Sequence, residues 1–336
     1  MAAGDPPLSS LGWRGPASYG DADVTALRET LQAEAGIANI GDNVVHPSEP
    51  DYAERAARIF RRDGFVVVKE CLDAERIATI RAGMERVIRQ MLEKDPQRVG
   101  NRGSHRYSFG AANAFYGCQR EWAVLIDPPP LKPVLAAIFG TEDYLCATGA
   151  SGGDFVLPGA LGYQPLHSDG TPPGDPLRDL PVGTAKDFGT GLCVIYPMEV
   201  VLDPAHTVGH SAYNGATRQL RGTQYSHAPV PKLSEESRES LLSTLSPTAA
   251  GDAVVRDNRS WHGGTPNLGR HVRAIPDCKF CGPLGAPPEL GGQGGLPVFF
   301  DFKRTLPYDV WRGMSPHGQR ITRGIVAQPG AAVRVQ

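Results

Sequence analysis

The segment "QPLHSDG", Gln164 to Gly170, places an imidazole, His167, and a carboxylate, Asp169, two positions apart. In an extended stretch residues i and i+2 project to one side, so both groups can aim at a single point. A third group of suitable type, His262, lies 93 residues beyond Asp169 in a glycine-flanked loop. Two histidines and one carboxylate form the facial ligand set that holds Fe(II) and leaves adjacent coordination positions open for a cosubstrate and O2. Arg273 follows His262 by eleven residues, past a turn of Pro266, Asn267 and Gly269. A strand continuing from that turn runs back beside the ligand strand and aims Arg273 into the same cavity, where a guanidinium favours a bidentate carboxylate. A dicarboxylate such as 2-oxoglutarate meets both demands. It chelates iron through its 2-oxo acid end and reaches Arg273 with its distal carboxylate. The plainer alternatives are a hydrogen-bonded polar cluster on loops for the three ligands, and a surface salt bridge for Arg273.

Ligands so far apart in the chain need a fold to unite them. Phe65 to Lys69 is apolar and β-branched, which predicts a buried strand. Asp73 then caps a helix whose apolar stripe is Ile77, Ile80, Met84, Val87, Ile88 and Met91, ended by Asp95-Pro96. A shorter helix fits "PVLAAIFG", with Gly140 as its stop. After residue 143, short apolar runs ("CVIYPMEVVL", "DAVVR", "VFFDFK") alternate with turn clusters of Gly, Pro, Asn and Asp. That texture predicts an antiparallel sandwich or barrel with helices packed outside it, an α+β but mainly β protein. Residues 1–50 read as an arm wrapped on the body, 51–305 as the main domain, and 306–336 as a tail packed on it.

Composition narrows the classes. A net charge of −2 and a pI near 6.5 show no footprint for nucleic acid. No apolar run reaches the ~18 residues of a membrane helix, and the N-terminus lacks a basic segment followed by an apolar one. Gly 40 and Pro 30 make roughly a fifth of the 336 residues, the mark of a folded, loop-rich chain. Six scattered cysteines suit reduced thiols, and a cytoplasmic monomer or homodimer is expected.

The segments "PLHSDG", "YNGATRQLRGTQYSH" and "WHGGTPNLGRHVR" resemble the phytanoyl-CoA dioxygenase family of Fe(II)/2-oxoglutarate-dependent oxygenases. "RDGFVVVKECLDAERIATIR" is similar to the strand and helix that open the family's domain, and the resemblance extends from about Tyr52 to Phe302. It implies a double-stranded β-helix (jelly roll) core, His167, Asp169 and His262 as iron ligands, and Arg273 as the 2-oxoglutarate anchor. Members often carry Ser two residues after the distal His, touching the cosubstrate. Here that position is Gly264, and the contact passes to Thr265.

Other motifs read as structural. "HTVGH" sets His206 and His210 four apart, but Gly209 and Pro204 oppose a helix and no Glu lies between them. The resemblance implies that His227 is the family's structural His, ordering a loop rather than binding iron. Cys278 and Cys281 form a lone Cys-x-x-Cys, expected as buried or edge thiols on a strand. "NRGSHRYSFG", residues 101–110, reads as a loop, either a substrate lid or solvated. The function expected is a 2-oxoglutarate-dependent dioxygenase acting on a small-molecule substrate, hydroxylating a C–H bond and releasing succinate and CO2. Desaturation, ring closure and epimerisation are open to the same chemistry. The alternatives are a non-catalytic jelly-roll metal-binding protein, and a hydrolase using the same ligands.

Overall fold

Valine-rich runs bounded by turn residues become the central strands, because β-branched side chains pack well on a pleated surface buried on both faces. The computed structural model describes residues 41–109, 119–147, 152–183, 191–241, 247–285 and 306–329, with Ala26 and Glu29. Most of the expected N-terminal arm, the run "VFFDFK", Cys118 and the end of the C-terminal tail lie outside the described residues.

β1 (Val44–Val45) pairs in parallel with β2 (Phe65–Val68). Between them, α1 (Tyr52–Asp63) buries Ala53, Ala56, Ala57, Ile59 and Phe60. Its stripe is rich in alanine and the helix is polar on average, which left it unread in the sequence. Gly64, at φ 82°, closes α1 and turns the chain into β2, a left-handed conformation that favours glycine. α2 (Ala74–Lys94) begins where expected, with the Asp73 side chain accepting from Arg76 N, and ends at Asp95. α3 (Leu131–Phe139) stops at Gly140 in the left-handed region, also as expected.

The main sheet has the order β1-β2-β9-β6-β11-β5-β3, where β3 is Arg106–Ser108, β5 Gly152–Val156, β6 Leu192–Ile195, β9 Ala253–Asp257 and β11 Arg273–Cys281. Beyond β1 the pairings of this path are antiparallel. β4 (Leu145–Cys146) and β7 (Met198–Glu199) also pair with β11. A second sheet joins β8 (Thr217–Gln219) to β10 (His262–Gly264), and bridges from Ala160, His167 and Asn214 extend it. Two opposed antiparallel sheets wound from one chain make the jelly roll, mainly β with flanking helices.

The main sheet has two unlike faces. Val66, Val68, Val194, Val255, Ala274, Cys278 and Phe280 join the helices in the large core. Val67, Cys193, Ile195, Val254 and Ile275 form a small apolar cluster on the opposite, inner face. Because side chains alternate, that inner face also carries Arg273, Asp277 and Lys279 of β11 and Arg256 of β9. Among the described residues no helix is long and apolar enough to cross a membrane.

One local expectation is corrected. Residues 106–108 of "NRGSHRYSFG" form strand β3 at the sheet edge, with Tyr107 stacked on Phe155 at 4.8 Å. The polar and aromatic mixture reads as a loop, but the alternation of Tyr107 and Phe109 buries both rings and leaves only the residues before Arg106 to turn in solvent.

Candidate metal centre

Two strand-like segments bring the expected ligands together. His167 lies opposite His262 in an antiparallel bridge, with reciprocal backbone hydrogen bonds of 3.0 Å each. The two rings stand 4.2 Å apart. Asp169, two residues on, sets Oδ1 3.7 Å from His167 Nε2 and Oδ2 3.5 Å from His262 Nε2. One ligand atom from each residue lies within 4.8 Å of the others, and no other His, Cys, Asp or Glu cluster among the described residues does this.

The surroundings prepare these atoms for a cation. His167 Nδ1 faces Pro165 O at 3.1 Å and His262 Nδ1 faces Ser260 O at 2.9 Å. A carbonyl only accepts, so each Nδ1 carries the proton and each Nε2 keeps its lone pair for a metal. Asp169 Oδ2 accepts from Arg256 Nη2 at 2.8 Å. Burial opposes the charge on Asp169, but the Lys279 and Arg256 cations beside it hold it well below the usual carboxylate range. Burial, and then Arg256, push His262 well below its ordinary value. An ionised carboxylate beside a neutral imidazole is the donor set a divalent metal takes. The chain leaving Asp169 is tied down as well. Arg178, fully buried, donates to Thr223 O at 2.9 Å and Arg259 O at 3.0 Å, while Arg259 pairs with Asp257 at 2.6 Å.

At the other end of the inner face sits Arg273, 2% exposed. Its Nη2 donates to Gly215 O, whereas Nε and Nη1 are buried without a partner. Burial, and then Arg106, push its guanidinium down to about 9. An orphaned fork of donors is the fit a carboxylate would complete. In the resembling segment "YNGAT", Gly215 presents its backbone carbonyl, and the Asn214 side chain braces the turn by donating to Glu199 and Gly209 O. Thr265 donates its hydroxyl to Ala216 O at 2.9 Å, and its carbonyl accepts from Arg106. Gly264 has no room for a side chain, since a Cβ there would lie 2.6 Å from Arg106 Nη1.

Arg270 is exposed, as expected, but it lies in the bend before β11 rather than on a strand, so its exposure comes from the loop and not from strand parity. His227 pairs with Asp179 at the surface, 2.9 Å away. His206 binds Glu199 at 2.8 Å, on a loop as expected. Cys278 and Cys281 are buried on β11, and burial pushes the Cys281 thiol up to about 12. Arg106, Arg256, Asp277 and Lys279 escaped the sequence reading. The last two were legible in principle, because Arg273, Ile275, Asp277 and Lys279 alternate along one strand.

No family model matches the sequence, and neither does any curated protein. Solved structures similar to the chain include the non-heme alpha ketoglutarate dependent epimerase SnoN from nogalamycin biosynthesis, with a TM-score of 0.45 and 18% identity over 70% of this chain and 85% of that one. The carbocyclase SnoK from the same biosynthesis follows with 0.43 and 17% over 68% and 83%. SnoN in complex with Fe3+, alpha ketoglutarate and nogalamycin RO gives 0.44 and 17% over 72% and 90%. Identities this low leave the reaction to be argued from the site itself.

Proposed function

We propose that the chain is an Fe(II)/2-oxoglutarate-dependent dioxygenase that oxidises a C–H bond of a small-molecule substrate and releases succinate and CO2. One observation carries the reading. The convergent His167, Asp169 and His262 lie across from the main sheet's inner face, which Asp169 meets through Arg256, and that face also bears a buried Arg273 with two unpartnered donors. A metal-binding protein without a cosubstrate has no use for that second feature, and a buried guanidinium without an anion is costly.

Iron, 2-oxoglutarate and O2, when bound, supply the oxidising power for C–H cleavage. His167 and His262 offer Nε2, oriented by their Nδ1 hydrogen bonds. Arg256 keeps Asp169 deprotonated and turned toward the histidines. Arg273 pairs with the distal carboxylate of 2-oxoglutarate, and Thr265 helps shape that end of the pocket. Val67, Val254, Ile195 and Ile275, all buried, line the inner face between the two ends beside Asp277 and Asp154. Asp169 fills the coordination position that a halogenase leaves open for halide, which favours hydroxylation.

The test is succinate production by the protein supplied with Fe(II), ascorbate and 2-oxoglutarate, first alone and then with a small-molecule library. Succinate that depends on iron and rises with one substrate is expected. Metal uptake without succinate identifies a binding protein instead, and substrate cleavage without O2 consumption identifies a hydrolase.

A further inference from the structure

Arg106 faces the same end of the sheet as Arg273. The register runs Arg106, Val156, Arg273 straight across β3, β5 and β11, so both arginines leave the sheet on its inner face. Arg106 is 9% exposed and Arg273 2%. Arg106 donates through Nη2, to Gly162 O at 2.7 Å and Thr265 O at 2.6 Å. Its Nη1 makes no such bond and occupies the space that a side chain at Gly264 would need, 2.6 Å from the Cβ position. Arg273 likewise bonds through Nη2, which leaves Nε and Nη1 buried and bare. The two guanidiniums repel each other, and Asp154, next along the inner face of β5, is the acid that offsets both. Two buried cations face one acid, and a second anion would balance them.

We propose that Arg106 is a second binding residue for the distal carboxylate of 2-oxoglutarate, gripping it from the side opposite Arg273, with Gly264 kept bare to admit its guanidinium. This rests on the dioxygenase reading above. A carboxylate offers about four lone-pair sites, and one bidentate arginine fills two, so two forks can share one group. The arrangement selects a dianion: a 2-oxo acid without the distal carboxylate leaves both forks unanswered.

The experiment uses the full chain loaded with Fe(II) in the absence of O2. Calorimetry measures binding of 2-oxoglutarate and of 2-oxopentanoate, which carries a methyl group in place of the distal carboxylate. Arg106→Gln is expected to weaken 2-oxoglutarate by about ten- to a hundred-fold while leaving 2-oxopentanoate within about two-fold of wild type. Unchanged 2-oxoglutarate affinity overturns the inference. Equal losses for both acids also overturn it, because they show that Arg106 only braces the two sheets. If Arg106→Gln does not fold, Arg106→Lys is judged by the same comparison, with a smaller loss expected and again confined to 2-oxoglutarate. A wild-type protein that holds Fe(II) yet takes up neither acid overturns the dioxygenase reading itself, and this inference with it.

Discussion

At the metal end of the site, His167 and His262 each commit Nδ1 to a backbone carbonyl, and Asp169 commits one oxygen to Arg256. At the other end, Arg273 leaves two buried nitrogens without partners. The second sheet carries His262 and, through its bridge, His167, whereas the main sheet carries Arg273. Partners at the first end hold tautomer, ring orientation and charge, so the ligands are set before a cation arrives. Missing partners at the second end carry a free-energy cost of about 1–3 kcal/mol per buried group. A fold keeps that cost where a ligand removes it. The comparison teaches that the metal ligands themselves are held by partners, whereas the two bare nitrogens of Arg273 await one.

The sharpest way to break the comparison is to remove a ligand at the metal end. His262→Ala is expected to abolish Fe(II) binding, a larger loss than the roughly 10–100-fold that a supporting residue costs. Equilibrium dialysis with metal analysis measures it, and retained affinity would mean that His262 is only a buried ring. Next is the arginine end. Arg273→Ala should weaken 2-oxoglutarate by about 10–100-fold with Fe(II) affinity unchanged. Arg270→Ala, at an exposed position three residues earlier, should change neither. A larger loss for Arg270→Ala in the same titration would show that the wrong arginine has been assigned.

A supporting partner comes third. Arg256→Met frees Asp169 from its fixed donor, and a fall of about 10-fold in metal affinity is expected, at the lower end for an outer-shell residue. The smallest effect at the site concerns Asp277, whose carboxyl is pushed up to about 6, chiefly by burial. Its ordinary value is 3.8, so the folded chain holds this proton more tightly than the unfolded chain. The associated stability is fully present below about pH 4 and is lost as pH rises through about 6. Asp277→Asn should therefore gain on the wild type between pH 4 and pH 8, on the order of 1–3 kcal/mol, with metal and 2-oxoglutarate binding nearly unchanged. Urea unfolding of both proteins at the two pH values checks it. An identical pH slope would place Asp277 in water.

The metal end was legible in the sequence because chemistry there is local. His167 and Asp169 are two residues apart, and His262 announces itself by its glycine-rich turn and the eleven-residue step to Arg273. β2, α2, α3 and β9 were legible too, from β-branched runs, a helical stripe and glycine stops. α1 was not, because alanines bury its stripe without raising its hydropathy. β3 and Arg106 stayed hidden because a three-residue edge strand has too little period to read, and because the role of Arg106 depends on Gly264, 158 positions away. Arg256 likewise gains meaning only when β9 is laid beside Asp169. Pairings across sheets are properties of register, which the local pattern does not contain.

The central claim is that the space between the two sheets binds a metal at one end and the far carboxylate of 2-oxoglutarate at the other, with a single molecule spanning the two. Anaerobic titration of 2-oxoglutarate into the Fe(II)-loaded protein, followed by the visible charge-transfer absorption that arises when a 2-oxo acid chelates Fe(II), tests it most directly. The expected result is a saturable band that is lost in His262→Ala and shifted to higher 2-oxoglutarate concentration in Arg273→Ala. A protein that binds Fe(II) but gives no band at any 2-oxoglutarate concentration, or whose band is indifferent to both substitutions, would contradict it.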